Sequence, residues 1–268
     1  MCLTRGTVRV AKSPNFESLT LFFPMWNEEQ VIHQTIAAAR EAAEGLVAVG
    51  EIGTYEILIV DDASTDATGE IADKYAADDH HVRVVHHRMN RKLGGTLKTG
   101  FAEARGELVL YTDADLPFDM AELGKAVRII RVYEADIVSA FRFDRTGEGP
   151  RRFIYSYVYN HLVRSLFSLR IRDVNFAFKL VRRDVLDHVE LKSEGSFIDV
   201  ELLARANRIG YRIVQFGVDY LPRTRGVSTL SSTSVIKRIV REMIALHGEL
   251  KSVRALPPES RGGAAAHS

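Results

Sequence analysis

The chain has 268 residues, 46% hydrophobic and 26% charged, with a formal net charge of +1. This is ordinary for a soluble globular protein, leaves room for one large α/β domain or two small ones, and gives no global attraction to nucleic acid. The single cysteine, Cys2, excludes an internal disulfide framework, and no apolar run reaches the ~18–20 residues that span a bilayer. With no long apolar secretory core at its start, the chain is expected to be cytoplasmic.

Residues 1–17 lack clear periodicity and read as a loose arm. Leu19–Pro24 is a buried-strand pattern, and from Glu28 a helical spacing (Val31, Ile32, Ile36, Ala39, Ala43) runs to about Val49. A second strand, Tyr55–Val60, leads through Asp61-Asp62-Ala63-Ser64-Thr65-Asp66 into a helix ending near Ala77. Val82–His86 reads as a strand, Gly94–Ala104 as a helix, Leu108–Thr112 as a strand, Met120–Tyr133 as a helix and Asp136–Phe141 as a strand. Near-continuous apolar strands alternating with amphipathic helices predict an α/β fold, a Rossmann-like, mostly parallel central sheet with helices on both faces. In the second half, Phe153–Leu169 is a predicted helix rich in aromatics and flanked by arginines. Phe176–Val181 and Tyr211–Phe216 read as strands and Ile198–Ile209 as a helix. A polar loop, Pro222 to Thr233, leads to a basic amphipathic C-terminal helix. The main domain is thus expected over 18–234, the helix over 235–254 and a disordered tail over 255–268.

Leu108-Val109-Leu110-Tyr111-Thr112 stops at Asp113-Ala114-Asp115, followed by Leu116-Pro117. Residues i and i+2 of a strand share one face, so both carboxylates project from the strand end, where ligands of open α/β sheets bind. Two such like charges repel unless a hard cation, Mg²⁺ or Mn²⁺, lies between them, and that ion would hold a diphosphate. Alternatively, the aspartates bond to backbone amides in a capped turn. Trp26-Asn27-Glu28, Asp61-Asp62 and Arg91-Lys92 follow other strands and converge on the same sheet edge. Asn27, Ser64 and Asp66 could equally be helix N-caps. A Gly-x-Gly-x-x-Gly after the first strand and a Gly-Lys-Ser/Thr loop are both lacking, which disfavours dinucleotide oxidoreductases and P-loop enzymes.

Pro24-Met25-Trp26-Asn27-Glu28, Val60-Asp61-Asp62-Ala63-Ser64-Thr65-Asp66 and Asp113-Ala114-Asp115, in this order, resemble glycosyltransferase family 2. Within it, the chain is similar to dolichol- and polyprenyl-phosphate mannose and glucose synthases over about Leu19 to Ser228. The resemblance implies a GT-A fold, a UDP- or GDP-sugar donor, a divalent metal and inversion at the anomeric carbon. It places Pro24, Trp26, Glu28, Val60 and Asp62 around the nucleoside, with Asp113, Ala114 and Asp115 at the diphosphate and metal. Lys92, Arg142, Arg223 and Ser228 join the donor-binding set, and Arg142 and Arg223 would stabilise the leaving group. Thr229 stands where the family often has lysine, Pro117 where many relatives are polar, and Lys92 lies one position early.

Ser196-Phe197-Ile198-Asp199-Val200-Glu201 resembles the family's acceptor-side helix. A hydroxyl acceptor needs a base, with Asp199 the first candidate and Glu201 the second, whereas a lipid phosphate is already anionic. A carboxylate placed by the helix dipole explains Asp199 as well. The expected acceptor is a polyprenyl phosphate. The alternatives are a soluble hydroxyl acceptor, a nucleotidyltransferase, or a non-catalytic nucleotide-sugar-binding protein. In the last helix, Val235, Ile236, Ile239, Val240, Met243 and Leu250 form an apolar stripe beside basic residues, suited to peripheral membrane contact, to this protein's own core, or to a homodimer partner.

Overall fold

A computed structural model describes residues 15–143, 150–221 and 233–261. Its first half alternates strands and helices: β1 (Phe16–Met25), α1 (Ile32–Ala48), β2 (Ile52–Asp61), α2 (Thr68–Asp78), β3 (Val82–His86), α3 (Lys92–Glu103), β4 (Leu108–Thr112), α4 (Glu122–Val132) and β5 (Ile137–Arg142). The second half holds α5 (Pro150–Phe167), β6 (Phe178–Arg182), α6 (Arg183–His188), α7 (Ile198–Ile209), β7 (Ile213–Val218) and α8 (Thr233–Ser252). The strands form one sheet in the order β3-β2-β1-β4-β6-β5-β7. β6 runs antiparallel to β4 and β5, and the other neighbours are parallel.

Alternation along the strands divides the core into two layers. Leu19, Leu21, Phe23, Ile57, Ile59, Leu108 and Leu110 pack with Ile36 of α1 and Leu123, Val127 and Ile130 of α4. On the other face Phe22, Leu58, Val60, Val109 and Tyr111 pack with Leu97 and Phe101 of α3, Val163 and Phe167 of α5, and Leu202 and Leu203 of α7. Helix α3 approaches the sheet so closely that a Cβ on Gly100 would lie 2.0 Å from the Phe22 ring. Register levels the strand ends: Pro24 lies beside Val60 and Met25 beside Asp61.

The predicted elements are all present, with β3, β4 and α7 at their expected bounds. Helix α6, too short to show a period, was not anticipated from the sequence. Over 255–261 the tail differs from the disordered one expected. Leu256 N–H donates to the Ile209 carbonyl at 3.0 Å and Pro258–Ser260 forms a 3₁₀ turn, while 262–268 lie outside the described residues. Ile239, Met243 and Leu250 of α8 are buried in the protein's own core, leaving Val240 and Ile244 exposed. The core thus takes much of the stripe considered for a membrane or a partner. Among the described residues no helix is long and apolar enough to cross a membrane.

Candidate active site

The loops after β1 and β2 are cross-linked. Asn27 takes a left-handed backbone (φ 58°), which asparagine tolerates. Its N–H donates to Ser64 Oγ at 3.0 Å, and its Oδ1 accepts the Thr65 N–H at 2.8 Å. Glu28 N–H donates to Thr68 Oγ1 at 2.8 Å, Glu29 N–H to Asp66 Oδ2 at 3.3 Å, and Ala67 N–H to Glu29 Oε2 at 3.0 Å. Ser64 and Asp66 therefore tie one loop to the other, and α2, which begins at Thr68, has Ala67 at its N-cap position with no side-chain cap bond. α1 is likewise capped at Val31, not Asn27. Burial raises the Asp66 pKa, but bonds from the Thr68 hydroxyl and amide and the Glu29 amide outweigh it and hold the carboxyl below its usual range. Beside this stitched pair Pro24 is half-buried, Val60 buried and Trp26 52% exposed.

The next two strand ends meet through a pair of aspartates and a pair of histidines. Asp62, anchored by its N–H to the Met25 carbonyl at 2.8 Å, lies 2.6 Å through Oδ1 from His87 Nδ1 and accepts the Arg91 N–H at 2.7 Å. His87 Nε2 faces Thr99 Oγ1 at 2.9 Å. That hydroxyl donates to the Gly95 carbonyl at 3.1 Å, so both imidazole nitrogens face acceptors. Asp61 accepts the Ser64 N–H at 3.1 Å and lies 2.9 Å from His86 Nδ1, whose Nε2 lies 2.9 Å from Asp73. Burial pulls the His86 pKa down, but these two carboxylates outweigh it and leave it raised. Lys92 (φ 60°) is exposed at the start of α3, its N–H donating to Asn90 Oδ1 at 3.1 Å.

Asp113, Ala114 and Asp115 occupy the turn leaving β4. Thr35 of α1 donates to the Ala114 carbonyl at 2.5 Å, Leu116 N–H donates to the Asp113 carbonyl at 3.3 Å, and Leu116 is left-handed (φ 45°). The turn is thereby fixed from both sides, with both carboxylates half-buried. Two hard oxygen donors at this spacing fit Mg²⁺ or Mn²⁺ better than a soft transition metal and leave coordination positions for phosphate oxygens and water.

At the end of β5, Arg142 donates through Nε to Asp173 Oδ2 at 2.8 Å and lies 5.3 Å from the Tyr220 ring centre. Behind it, Lys179 of β6 is wholly buried, its Nζ 2.8 Å from Asp199 Oδ1 and 2.8 Å from the Phe176 carbonyl. Burial raises the Asp199 pKa against the opposing pull of Lys179. Tyr111, pushed well up by burial, is raised further by the charges of Asp199 and Asp113. Glu201 is 0% exposed and accepts from the Lys192 and Ser193 amides and from Arg205 Nε. So enclosed, it is placed to hold the loop before α7 rather than to take a proton from an acceptor. That loop backs onto α3, where Gly94 N–H donates to the Glu194 carbonyl at 3.1 Å and a Cβ on Gly94 would lie 2.4 Å from that backbone. Of the expected residues, Pro24, Trp26, Glu28, Val60, Asp62, Lys92 and Asp113 to Asp115 gather at the strand ends. Arg142 and Asp199 flank them. Arg223 and Ser228, with the polar loop that carries them, lie outside the described residues. Sequence reasoning missed His86, His87 and Lys179. A lysine inside the apolar run Phe178–Arg182 was the one available signal, since a buried ammonium requires a partner.

The family model Glycosyl transferase family 2 matches residues 20–190. The chain is 32% identical to glycosyltransferase AglD of Haloferax volcanii over 210 residues, 76% of this chain but 33% of that protein, so it spans about a third of that relative's length. It is 28% identical to an undecaprenyl-phosphate mannosyltransferase of Micrococcus luteus, covering 81% of this chain and 89% of that one. It is 32% identical to a polyprenol monophosphomannose synthase of Mycolicibacterium smegmatis, covering 67% and 71%. Its fold is similar to that of glucosyl-3-phosphoglycerate synthase from Mycobacterium tuberculosis, solved with Mn²⁺, UDP-glucose and phosphoglyceric acid. The TM-score is 0.65 at 19% identity, covering 87% of this chain and 80% of that one. The family match takes in the chain from within β1 through α6 and most of the candidate site, and this chain belongs to glycosyl transferase family 2.

Proposed function

We propose that this protein transfers a sugar from a UDP- or GDP-sugar to a polyprenyl phosphate, with inversion at the anomeric carbon and with Mg²⁺ or Mn²⁺ held by Asp113 and Asp115. The observation that carries this reading is the gathering of Asp62, the stitched Asn27 loop and the Asp113–Asp115 turn at one sheet edge. Asp62, fixed by His87 and the Arg91 amide, accepts an N–H from the nucleoside base, and Pro24, Trp26, Glu28 and Val60 border that nucleoside. Lys92 and Arg142 face the diphosphate, joined by Arg223 and Ser228 on the family resemblance. Arg142 is pre-set by Asp173, so little ordering is needed for its guanidinium to stabilise charge on the leaving group. The divalent ion, when bound, supplies Lewis-acid charge to the same diphosphate. The acceptor oxygen forms its bond to the anomeric carbon on the side opposite the breaking bond to the nucleoside diphosphate, which inverts that carbon.

A lipid phosphate brings its own negative oxygen and needs no base. That agrees with an Asp199 turned to Lys179, and two of the relatives are named for polyprenyl-type phosphates. A second reading, the same donor chemistry on a soluble hydroxyl acceptor, is favoured by one observation: burial raises the Asp199 pKa, which strengthens it as a base. The test incubates the protein with radiolabelled UDP- and GDP-sugars, Mn²⁺ or Mg²⁺ and a short polyprenyl phosphate, then partitions into butanol. Label in the organic phase that is lost in Asp115→Ala supports the lipid-phosphate reading. Nucleoside diphosphate release without organic label moves the acceptor to a soluble hydroxyl, and no release from any donor refutes both.

A further inference from the structure

Beside the acceptor flank lies a cavity of about 420 Å³ lined by Arg164, Ser168, Leu169, Arg170, Ile171 and Arg172. That volume is within the ~300–1,000 Å³ usual for small-ligand sites. No carboxylate is among the lining residues, and none of its three arginines forms an ion pair among the described residues. Other arginines of the molecule are matched: Arg142 with Asp173, Arg83 with Glu56 and Glu103, Arg205 with Glu201 and Glu249.

The segment that concentrates this charge is held in place. Arg164 Nε donates to the Ile171 carbonyl at 2.7 Å and Nη2 to the Arg172 carbonyl at 3.2 Å, so the guanidinium is fixed while its second amino group is uncommitted. Gln215 of β7 clamps the loop, accepting the Arg172 N–H at 2.8 Å and donating to the Arg170 carbonyl at 2.8 Å. Ser168 turns the chain off α5 in a left-handed conformation (φ 57°), and the Arg172 guanidinium lies 4.9 Å from the Phe141 ring centre. Like charges pinned together repel, and an anion seated among them relieves that repulsion with charge-assisted hydrogen bonds.

We propose that Arg164, Arg170 and Arg172 form a second anion site, separate from the Asp113–Asp115 turn, that takes a phosphate group. The group comes either from a free phosphate compound or from a lipid headgroup, and two assays distinguish them. Equilibrium dialysis of radiolabelled orthophosphate at low ionic strength reads the first. Co-sedimentation with phosphatidylcholine vesicles, with and without phosphatidic acid, reads the second. The full chain is compared with the double variant Arg170→Ala/Arg172→Ala, both residues being exposed, and with Arg170→Lys/Arg172→Lys. An unchanged thermal midpoint establishes that each variant is folded. The expected result is binding by the natural chain in at least one assay, weakened at least tenfold by the alanines and partly kept by the lysines. Retention of orthophosphate assigns a free phosphate ligand, and retention by phosphatidic acid vesicles alone assigns the lipid headgroup. Binding by neither route, or alanine variants that bind like the natural chain, overturns the proposal.

Discussion

Replacing Lys179 by methionine tests the buried pair that it forms with Asp199. The substitution keeps the volume of the side chain but removes the ammonium that lies 2.8 Å from Asp199 Oδ1, both groups being almost wholly enclosed. Stripping one partner from a buried pair costs about 3–5 kcal/mol. Protonation of Asp199 sets a ceiling on that loss. With an ordinary pKa of about 3.9, neutralising an aspartate costs about 4 kcal/mol at pH 7 and about 1.5 kcal/mol at pH 5, at about 1.36 kcal/mol per pH unit. The sign follows from linkage: a folded-state carboxyl pKa raised above the unfolded value destabilises at high pH, and the deficit shrinks as pH falls towards the unfolded pKa. Urea unfolding of Lys179→Met at pH 7 and pH 5 is therefore expected to show a loss of about 4 kcal/mol that falls below about 2 kcal/mol. The double variant Lys179→Met/Asp199→Leu should recover most of it, since both charges are then gone. A loss under about 1 kcal/mol at pH 7, or one independent of pH, would refute the reasoning.

If the proposed metal-dependent sugar transfer holds, Asp113→Ala and Asp115→Ala should each lower it at least a hundredfold while leaving the thermal midpoint within a few degrees, as read by initial rates across a Mn²⁺ titration. His87→Gln, which alters the ring between Asp62 and Thr99, should weaken UDP or GDP about tenfold by calorimetry. It should leave the affinity for ribose 5-diphosphate, which lacks a base, unchanged. Because the folded-state pKa of His86 is raised, its contribution to stability is complete below about pH 6.5 and fades as pH rises through that raised value. Thermal midpoints across pH 5.5–9 should follow that trend, and Asp73→Asn should flatten it. Gly100→Ala gains helix propensity but drives a Cβ into the Phe22 ring, with a net loss of about 1–3 kcal/mol expected in urea.

Elements were legible where chemistry changes sharply. Leu108–Thr112 is an apolar run closed by Asp113, and Ile198–Ile209 has a helical spacing closed by Gly210, which sits at φ 104° as a left-handed C-cap. The gathering of the polar clusters was legible because parallel strand ends share an edge, so residues far apart in sequence had one place to meet. Partnership was less so. Nothing local in Glu201 distinguishes a catalytic carboxylate from one consumed by the amides of Lys192 and Ser193. His86 closes a strand and His87 follows it like any polar pair, and their partners are Asp61 and Asp62, 25 residues earlier. Nor does any sequence period announce that β6 slots between β4 and β5, because strand order is decided by long-range packing.

That insertion has a consequence for the growing chain. Among the described residues β5 pairs only with β6 and β7, both of which follow it. As the chain emerges from the ribosome, β3, β2, β1 and β4 can assemble at once, but β4 then presents an open edge and β5 has no neighbour to join. Residues 178–182 must be synthesised before the edge is covered, leaving a window in which strand pairing with another nascent chain competes with correct closure. The sheet is therefore completed by a late strand, and a truncation ending before it should yield an aggregation-prone half-sheet rather than an independent nucleotide-binding unit.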